Sequence, residues 1–519
     1  TQLLLDLIKE YFKLWYFIIE NWKLLLLLNL IFYLYFYYTQ TFDYFEKRNI
    51  KFMKPVIFFG NALTRIMGKK PFISYQLDVY NYFKGHRYGG FFEGRRPVLY
   101  VLDPDLIKSI TISDSDHFID RSTIKTREPR YLSRSLLALK SSEWKAVRSL
   151  ITPTFSSARL KNMFPLVRHC SDQLVELLMR FDNTEIELKE MTGHFTLEVT
   201  GVCAFGISTD ALKDENAEFY KIAEKFNYMS VPKRMFFFFI LMFMPSMFRF
   251  INISFMNHES TKKLVKILQK TKAERMTAQS KRSDFLQLLV DVAITEKEEL
   301  AKTGENSKRY LDDDTLDAQA LLFLLAGFET TSTLLSFFFH TMAVNPELQE
   351  KLRAHIEDIT KGQELSYDHL SQLDFLEATV SETLRMYPPL GRIDRACTKP
   401  YTIPGTSIQL KVGDVVAIPA YGIHMDPDIY PEPEKFKPER FLKEEKKERP
   451  SHLFLAFGAG PRNCIGSRFA MIVAKTAIVT LMRNFKFSAG PKTENPVKFH
   501  KTALLLKPES GIWVHVEKI

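Results

Sequence analysis

The 519-residue chain has few cysteines, no phosphate-binding glycine motif and no clustered charge. Its four cysteines, far apart, exclude a disulfide framework and suit a reducing compartment. A Gly-x-Gly-x-x-Gly motif after a strand is missing, so we expect no nicotinamide or flavin site in the chain itself. The formal charge of +10 is scattered along the sequence, which disfavours a nucleic-acid binder. No Gly/Ser-rich linker or internal repeat divides the chain.

An uncharged hydrophobic run occupies residues 24–42 and is long enough to cross a bilayer as a helix. Positive residues follow it, which predicts that the remainder of the chain lies on the cytosolic side. A cleaved signal peptide is the alternative, but no small-residue cleavage site follows. We therefore predict an N-terminal extension (1–23), a single-pass anchor (24–42), a hinge (43–61) and one large domain (62–519).

The most informative stretch is 457–466, where one cysteine lies among three glycines, a proline and an arginine. Glycine lets the backbone approach a flat ligand closely, and Pro461 stiffens the loop so that the thiol is presented. The apolar periodic run that follows predicts a helix starting near Ser467. Cys464 would then precede a helix N-terminus, where free N–H groups favour the thiolate that ligates metals.

The spacing of this stretch resembles the haem-binding loop of the cytochrome P450 superfamily, with its fixed positions filled by Phe457, Gly460, Arg462, Cys464 and Gly466. A small buried hydrophobic cysteine is the simplest alternative, but it leaves the glycines and the arginine unexplained. A zinc site needs further ligands at short spacing, and no other cysteine is near. Single-thiolate ligation of haem iron by Cys464 is the better account.

Four further residues are candidates for binding the haem propionates. Trp144 and Arg148 lie four apart in a helical pattern and share a face, where an indole N–H and a guanidinium suit carboxylates. Alone, the pair fits a surface stack equally well; with Cys464 it matches the propionate-binding helix of the family. The resemblance adds Arg121 and Arg395 as further propionate contacts.

A long helical pattern over 312–345 carries poor helix formers in its middle. Ala326 and Thr330 are one turn apart on one face, where the hydroxyl can bond backward and bend the helix. The stretch is similar to the distal-helix motif of the family, which makes Glu329 and Thr330 its catalytic acid–alcohol pair and Ala326 a haem-facing position. A kinked core helix is the alternative.

The sequence also contains Glu382 and Arg385, three apart on a predicted helix, and Arg440 in a Pro-Glu-Arg-Phe stretch. An isolated Glu–Arg pair of this spacing carries little information. Both stretches resemble companion motifs of the family, which implies that the three side chains join next to the haem loop. We assign them a structural role.

The resemblance implies a mainly α fold with small β-sheets, the cytochrome P450 fold, preceded by the transmembrane helix. It implies a monooxygenase that inserts one oxygen atom of O₂ into a hydrophobic small molecule, with haem b as cofactor. NADPH and flavins would act only through a partner, NADPH–cytochrome P450 reductase, with cytochrome b5 as a further candidate. The implied location is the endoplasmic reticulum membrane. A haem-thiolate isomerase or dehydratase and a non-catalytic haem sensor are the alternatives.

Predictions about the substrate pocket and the partner surface are coarser. We expect pocket residues from 118–136, 235–250, 323–330, 390–393 and 503–505. The Phe- and Met-rich stretch 235–250 fits a pair of core helices as well as a pocket roof that reaches the membrane interface. A positive docking face for an acidic reductase is predicted from Lys145, Arg148, Arg468 and Lys475, with scattered surface cations as the alternative.

Overall fold

The fold is that of a computed structural model, which describes residues 2–122, 130–214, 217–226, 256–277, 284–303 and 309–519, with isolated positions between 233 and 250. Helices are numbered in chain order and span α1 Gln2–Thr39, α2 Leu63–Ile66, α3 Phe72–Phe83, α4 Pro104–Lys108, α5 Arg130–Ser133, α6 Ser141–Ile151, α7 Ser157–Leu178, α8 Leu188–Thr200, α9 Glu218–Phe226, α10 His258–Thr277, α11 Phe285–Thr303, α12 Asp313–Val344, α13 Pro346–Thr360, α14 Tyr367–Gln372, α15 Asp374–Met386, α16 Ala420–His424, α17 Lys443–Glu448 and α18 Ser467–Asn484. Strands span β1 Tyr88–Glu93, β2 Arg96–Val101, β3 Thr184–Glu187, β4 Ile393–Ala396, β5 Tyr401–Thr402, β6 Gln409–Leu410, β7 Val415–Ile418, β8 Phe485–Ser488 and β9 Trp513–Lys518.

The described residues form a mainly helical body with three small sheets. The largest sheet has the strand order β1-β2-β7-β4, in which β2 and β7 pair in parallel and the other neighbours are antiparallel. A second sheet has the order β3-β9-β8, and β5 pairs with β6. Strands β2 and β7 of the largest sheet contain the short apolar runs 98–101 and 415–418. The predicted fold class, mainly α with small sheets, is confirmed.

Helix α1 contains the predicted N-terminal apolar run. Its part Ile19–Thr39 is long and apolar enough to cross a membrane, and no residue of its most apolar window is buried inside the protein. The helix ends at Thr39, before the end of the run predicted at 24–42. Helix α12 has a similar apolar character, but 61% of its most apolar window is buried inside the protein, as expected of a core helix.

The chain packs onto the large sheet directly after α1. Phe45 and Ile50 are buried in the core around β1 and β2, and the ring of Phe45 lies 5.1 Å from that of Phe92, centroid to centroid. The Thr41 hydroxyl donates to the Arg95 carbonyl oxygen at 2.6 Å. The segment predicted as a hinge at 43–61 therefore contributes side chains to the hydrophobic core.

Helix α12 runs through the main hydrophobic core and is confirmed close to its predicted bounds. Asp312 caps its N-terminus by accepting the Thr315 N–H at 2.9 Å, and Asn345 follows its last residue. Pro346 starts the next helix, because proline fits a first turn but cannot continue the preceding one. Because most of α12 is buried in the core, the helix holds the residues at its middle in fixed positions.

Candidate functional site

The cysteine loop is closed by its own backbone. The Cys464 N–H donates to the Phe457 carbonyl at 2.8 Å, and the Asn463 N–H donates to the Gly460 carbonyl at 3.0 Å. Gly460 has φ +69°, and a Cβ at this position would lie 1.6 Å from the Thr111 carbonyl oxygen. Only glycine fits a positive φ combined with so close a contact. Helix α18 then begins at Ser467, as predicted.

The Cys464 side chain differs from the other three cysteines, because it is exposed and they are buried. Although the side chain is exposed, desolvation by the surrounding protein raises the pKa of Cys464 above its usual value. The Gly466 N–H, Arg148 and Arg121 act in the opposite direction, toward the thiolate. The predicted effect of the backbone N–H group is thus present, but desolvation outweighs it in the free thiol.

Helix α6 holds the cysteine loop through the two predicted residues Trp144 and Arg148. The Arg462 guanidinium lies over the Trp144 ring, 4.0 Å from its centroid. Arg148 donates from Nη1 to the Asn463 carbonyl at 3.2 Å and from Nη2 to the Asn463 Oδ1 at 3.1 Å. Both side chains therefore face the loop that carries Cys464, on the shared face that their spacing predicts.

A cluster of three arginines lies beside the loop. The Ala396 N–H donates to the Asp120 carbonyl at 2.8 Å, which places Arg121 near Arg395 on the neighbouring strand β4. The third member, Arg462, reaches the same segment, because its Nε donates to the Ile119 carbonyl at 2.6 Å.

Burial disfavours the charged state of all three guanidinium groups, and the charge of Arg121 disfavours it further in Arg395 and Arg462. Burial, and then the charge of Arg121, lowers the pKa of Arg395 to about 10. Burial, and then the charge of Arg121, lowers the pKa of Arg462 to about 9, although Asp120 opposes this. Burial also lowers the pKa of Arg121. Buried like charges at one place are costly unless anions neutralise them.

The cluster fits the two carboxylates of a haem. Arg121 has a buried Nε without a hydrogen-bond partner among the described residues. Arg395 donates from Nη1 to the Asp394 carbonyl, its own neighbour. Guanidinium groups pair well with carboxylates, so a dianionic ligand would supply the missing countercharge. Together with the single exposed thiol, this cluster suits a haem whose iron takes one sulfur ligand.

The middle of α12 is more exposed than the rest of the helix. Ala326 is exposed, although most of the helix around it is buried. The Thr330 hydroxyl donates back to the Ala326 carbonyl at 2.6 Å, the backward bond that its spacing predicts. Glu329 extends its carboxylate toward Lys189 of α8, with Nζ to Oε1 at 3.4 Å. The pair thus offers a hydroxyl at an open surface and a carboxylate beside a buried cation.

The predicted Glu–Arg–Arg group forms as expected. Arg385 and Glu382 are fully buried and bond twice, from Nε to Oε2 at 2.7 Å and from Nη2 to Oε1 at 2.8 Å. Arg440 donates from Nε to the same Glu382 Oε1 at 3.3 Å. Arg385 also donates to the carbonyls of His424 and Pro433. The group therefore ties α15 to the segments that follow α16.

His424, which was not predicted as a site residue, links this group to the segment that leads into the cysteine loop. Its Nε2 accepts the Leu455 N–H at 2.9 Å, and its Nδ1 lies 3.2 Å from the Arg385 carbonyl. Because Nε2 accepts, Nδ1 carries the proton and donates to that carbonyl. Burial and the charge of Arg385 lower the pKa of His424 to about 3, so the ring is neutral. A lone histidine at the end of a five-residue helix has no periodic or spacing signal, so only the structure identifies it.

The structure brings two of the predicted pocket segments together. The Leu506 N–H donates to the Pro389 carbonyl at 3.0 Å, and residues around both line one cavity. Phe323 of α12 packs against Phe155 at a centroid distance of 5.5 Å. Most of 235–250, and residues 123–129 within the predicted stretch 118–136, lie outside the described residues.

One predicted docking residue is wrong. Lys475 is buried, and its ammonium donates to the Leu370 carbonyl and to Glu377 Oε2. It lies among apolar residues of α18 and cannot contribute to a surface. Lys145 and Arg468 are exposed, and Arg148 is partly exposed while bonded to Asn463. The positive face is thus reduced to these three residues.

Comparison with known proteins agrees with this arrangement. The sequence profile of the family described as Cytochrome P450 matches residues 50–515. The chain is 37% identical over 506 residues to Cytochrome P450 9e2 of Blattella germanica, covering 92% of this chain and 94% of that relative. It is 35% identical over 514 residues to Cytochrome P450 3A12 of Canis lupus familiaris, covering 96% of each. Probable cytochrome P450 6a13 of Drosophila melanogaster is 34% identical over 484 residues, covering 92% and 94%.

Three features expected of a haem-thiolate enzyme are present. They are a thiol on a closed loop, a group of largely buried arginines and a core helix whose middle is partly exposed. The chain belongs to the cytochrome P450 family. It is accordingly a monooxygenase with a haem cofactor. Its relatives include insect and mammalian members, which is consistent with the microsomal group of drug-oxidising and insect detoxification enzymes.

Proposed function

We propose that this monooxygenase inserts one oxygen atom of O₂ into lipophilic small molecules, either xenobiotics or endogenous compounds. Electrons come from NADPH through NADPH–cytochrome P450 reductase, with cytochrome b5 as an accessory donor. The haem is haem b. The observation that carries the proposal is the exposed Cys464 thiol on its closed loop, next to the buried Arg395 and Arg462 and the partly buried Arg121.

Cys464 is the iron ligand in this proposal, and its loop positions Phe457, Gly460 and Gly466 shape the surface around it. Trp144, Arg148, Arg121, Arg395 and Arg462 hold the two propionates. When bound, the haem supplies reductive activation of dioxygen, and a thiolate ligand promotes cleavage of the O–O bond. Ligation also requires the thiol to lose its proton, and the Gly466 N–H and Arg148 favour this loss.

Thr330 and Glu329 manage protons in the proposed reaction, at the stretch of α12 that contains Ala326. The Thr330 hydroxyl is held by the Ala326 carbonyl at 2.6 Å, and its oxygen keeps lone pairs that accept a proton from ordered water. The hydroxyl passes its own proton into the site, so one proton enters and one leaves at the same oxygen. Glu329 is the acid behind it.

We further propose that α1 anchors the protein in the endoplasmic reticulum membrane, with the catalytic domain on the cytosolic side. The unburied apolar part Ile19–Thr39 and the positive residues that follow support this orientation. Lys145, Arg148 and Arg468 belong to the proposed contact with the reductase.

The test is spectroscopy followed by turnover. The reduced, carbon monoxide-bound protein is expected to show the red-shifted Soret band of a thiolate adduct. Cys464→Ser removes that band, whereas Cys397→Ser, a change at a buried cysteine, keeps it. With purified reductase, product formation requires both NADPH and O₂. Turnover of a peroxide substrate without NADPH would indicate an isomerase, and haem binding with no turnover on any lipophilic compound would indicate a sensor.

A further inference from the structure

A largely buried lysine, Lys189, contacts the turn of α12 that carries Glu329 and Thr330. Lys189 extends from α8, and its side chain is only 14% exposed. Its ammonium donates to the Glu329 carbonyl at 3.1 Å and to the Thr333 hydroxyl at 2.9 Å, and it also bonds the Ser332 hydroxyl. The Glu329 carboxylate lies 3.4 Å away. An ammonium group has three N–H donors, so this site has more oxygens than one orientation can satisfy.

Helix α8 places further polar side chains along the same part of α12. The Thr196 hydroxyl donates to the Phe328 carbonyl at 3.0 Å, and the Thr192 hydroxyl donates to the Ser332 carbonyl at 3.1 Å. Lys189, Thr192 and Thr196 are spaced three and four apart, so they share one face of α8. The turn of α12 that carries Glu329 is therefore held by side chains of α8, while Thr330 faces the open surface.

A buried lysine in this place requires an explanation. Burial lowers the pKa of Lys189, and Glu329 acts in the opposite direction. Glu187, just before α8, also favours the charged form, whereas Lys507 disfavours it. Neutral side chains could join α8 and α12 as well, as Thr192 and Thr196 do, and at a lower desolvation cost. The Lys189 ammonium suits Glu329, because Glu329 is the residue at this contact whose charge changes during a proton transfer.

We propose that Lys189 is a positioning residue for proton delivery, which holds the Glu329 carboxylate in one orientation and stabilises it after each transfer. The inference rests on the proposed role of Glu329. When the protonated carboxyl gives its proton toward the Thr330 hydroxyl through ordered water, a carboxylate remains and the Lys189 ammonium stabilises it. A proton from solvent then restores the carboxyl, so no charge accumulates in the cycle.

The test uses the haem-loaded full chain with reductase and compares Lys189→Met, Lys189→Arg and Glu329→Gln. The matched control is Lys272→Met, which removes another buried lysine that pairs with a carboxylate of α12, Asp317, at 2.6 Å. We expect Lys189→Met to lower product per NADPH by about tenfold, less than the roughly hundredfold contributed by a positioned acid. It should also raise the solvent deuterium isotope effect on turnover. Lys189→Arg should restore part of both, because it keeps the positive charge.

The decisive comparison is Lys189→Met in the Glu329→Gln background. If Lys189 acts through Glu329, the second change adds little to the loss of coupling, and the two changes shift the urea unfolding midpoint non-additively. Equal effects in both backgrounds, or a loss of coupling no larger than that of Lys272→Met, would overturn the proposal and leave Lys189 as a structural contact. Failure of the proposed function would look different, because the unmodified enzyme would then show no NADPH- and O₂-dependent product.

Discussion

His424 accepts the backbone N–H of Leu455 at 2.9 Å, and Leu455 lies two residues before Phe457, the first residue of the cysteine loop. The other nitrogen of the ring contacts the carbonyl of Arg385, whose side chain is paired with Glu382. One neutral imidazole thus connects a buried ion pair to the backbone that leads to Cys464.

The first prediction concerns acid stability. The pKa of His424 is lowered to about 3 in the folded protein from an ordinary value of 6.5. Below pH 6.5 the unfolded chain therefore binds a proton at this residue that the folded protein does not bind. The free energy of unfolding should therefore fall as pH drops from 6.5 toward 3, by up to about 1.4 kcal/mol per pH unit from this group. His424→Gln, which cannot titrate, should flatten that slope in urea unfolding measured between pH 7 and 4. His86→Gln, at an exposed histidine, should not, and an unchanged slope in His424→Gln would contradict the assignment.

The second prediction concerns the buried Glu382–Arg385 pair. Glu382→Gln leaves the fully buried guanidinium of Arg385 without its carboxylate, so we expect a loss of about 3–5 kcal/mol in the free energy of unfolding. Glu439→Gln breaks the exposed pair with Lys351, at 2.7 Å, and should cost less than about 1 kcal/mol. Urea unfolding of the two variants gives the comparison. Equal losses would mean that burial of the pair carries no energetic weight.

The third prediction concerns the arginine cluster. Arg395→Met removes a buried cation that is proposed to bind a propionate, so haem should leave about tenfold to a hundredfold faster, the effect of losing one charge-assisted hydrogen bond. Transfer of haem to excess apomyoglobin measures this rate. Arg483→Met, at a partly buried arginine that donates to the Gln363 carbonyl, is the control and should leave the rate unchanged. Haem loss from Arg395→Met at the control rate would exclude a propionate contact.

The fourth prediction concerns Thr330. Thr330→Val keeps the shape of the side chain but removes the hydroxyl, so NADPH is still consumed while product per NADPH should fall by about tenfold or more. Reduced oxygen should appear as hydrogen peroxide instead. Thr341→Val is the matched control, because Thr341 makes the same backward bond, at 2.8 Å to the Phe337 carbonyl, three turns farther along α12. Unchanged coupling in Thr330→Val would remove Thr330 from proton delivery.

Local patterns in the sequence were enough for the parts of the site that lie close together in the chain. The turn that closes around Gly460, the start of α18 at Ser467 and the caps of α12 follow from residue types and short spacings. The mainly helical fold with small sheets followed from the resemblance that these motifs carry.

Contacts between distant segments were not accessible in the same way. Lys189 meets Glu329 across 140 residues, and His424 meets Leu455 across 31, so neither pair has a sequence spacing to detect. Lys475 was predicted on the surface because lysine is seldom buried. Its neighbours Ala474 and Ile478 on α18 are apolar and buried. The apolar character of this stretch is the sequence signal that indicates burial of Lys475.

Helix α1 ends in residues that are fixed to the large sheet. The Tyr38 ring packs edge-on against Phe58 at 4.9 Å, the Arg95 guanidinium stacks over Tyr37 at 3.8 Å, and Phe42 contacts Phe92 at 5.2 Å. If α1 spans a bilayer as proposed, it holds the catalytic domain in a fixed orientation relative to the membrane, whereas a flexible linker would let the domain move. The tilt of this one helix would then set how deeply the catalytic domain sits among the lipid headgroups. That depth would in turn set the level of the bilayer from which lipophilic compounds enter the protein.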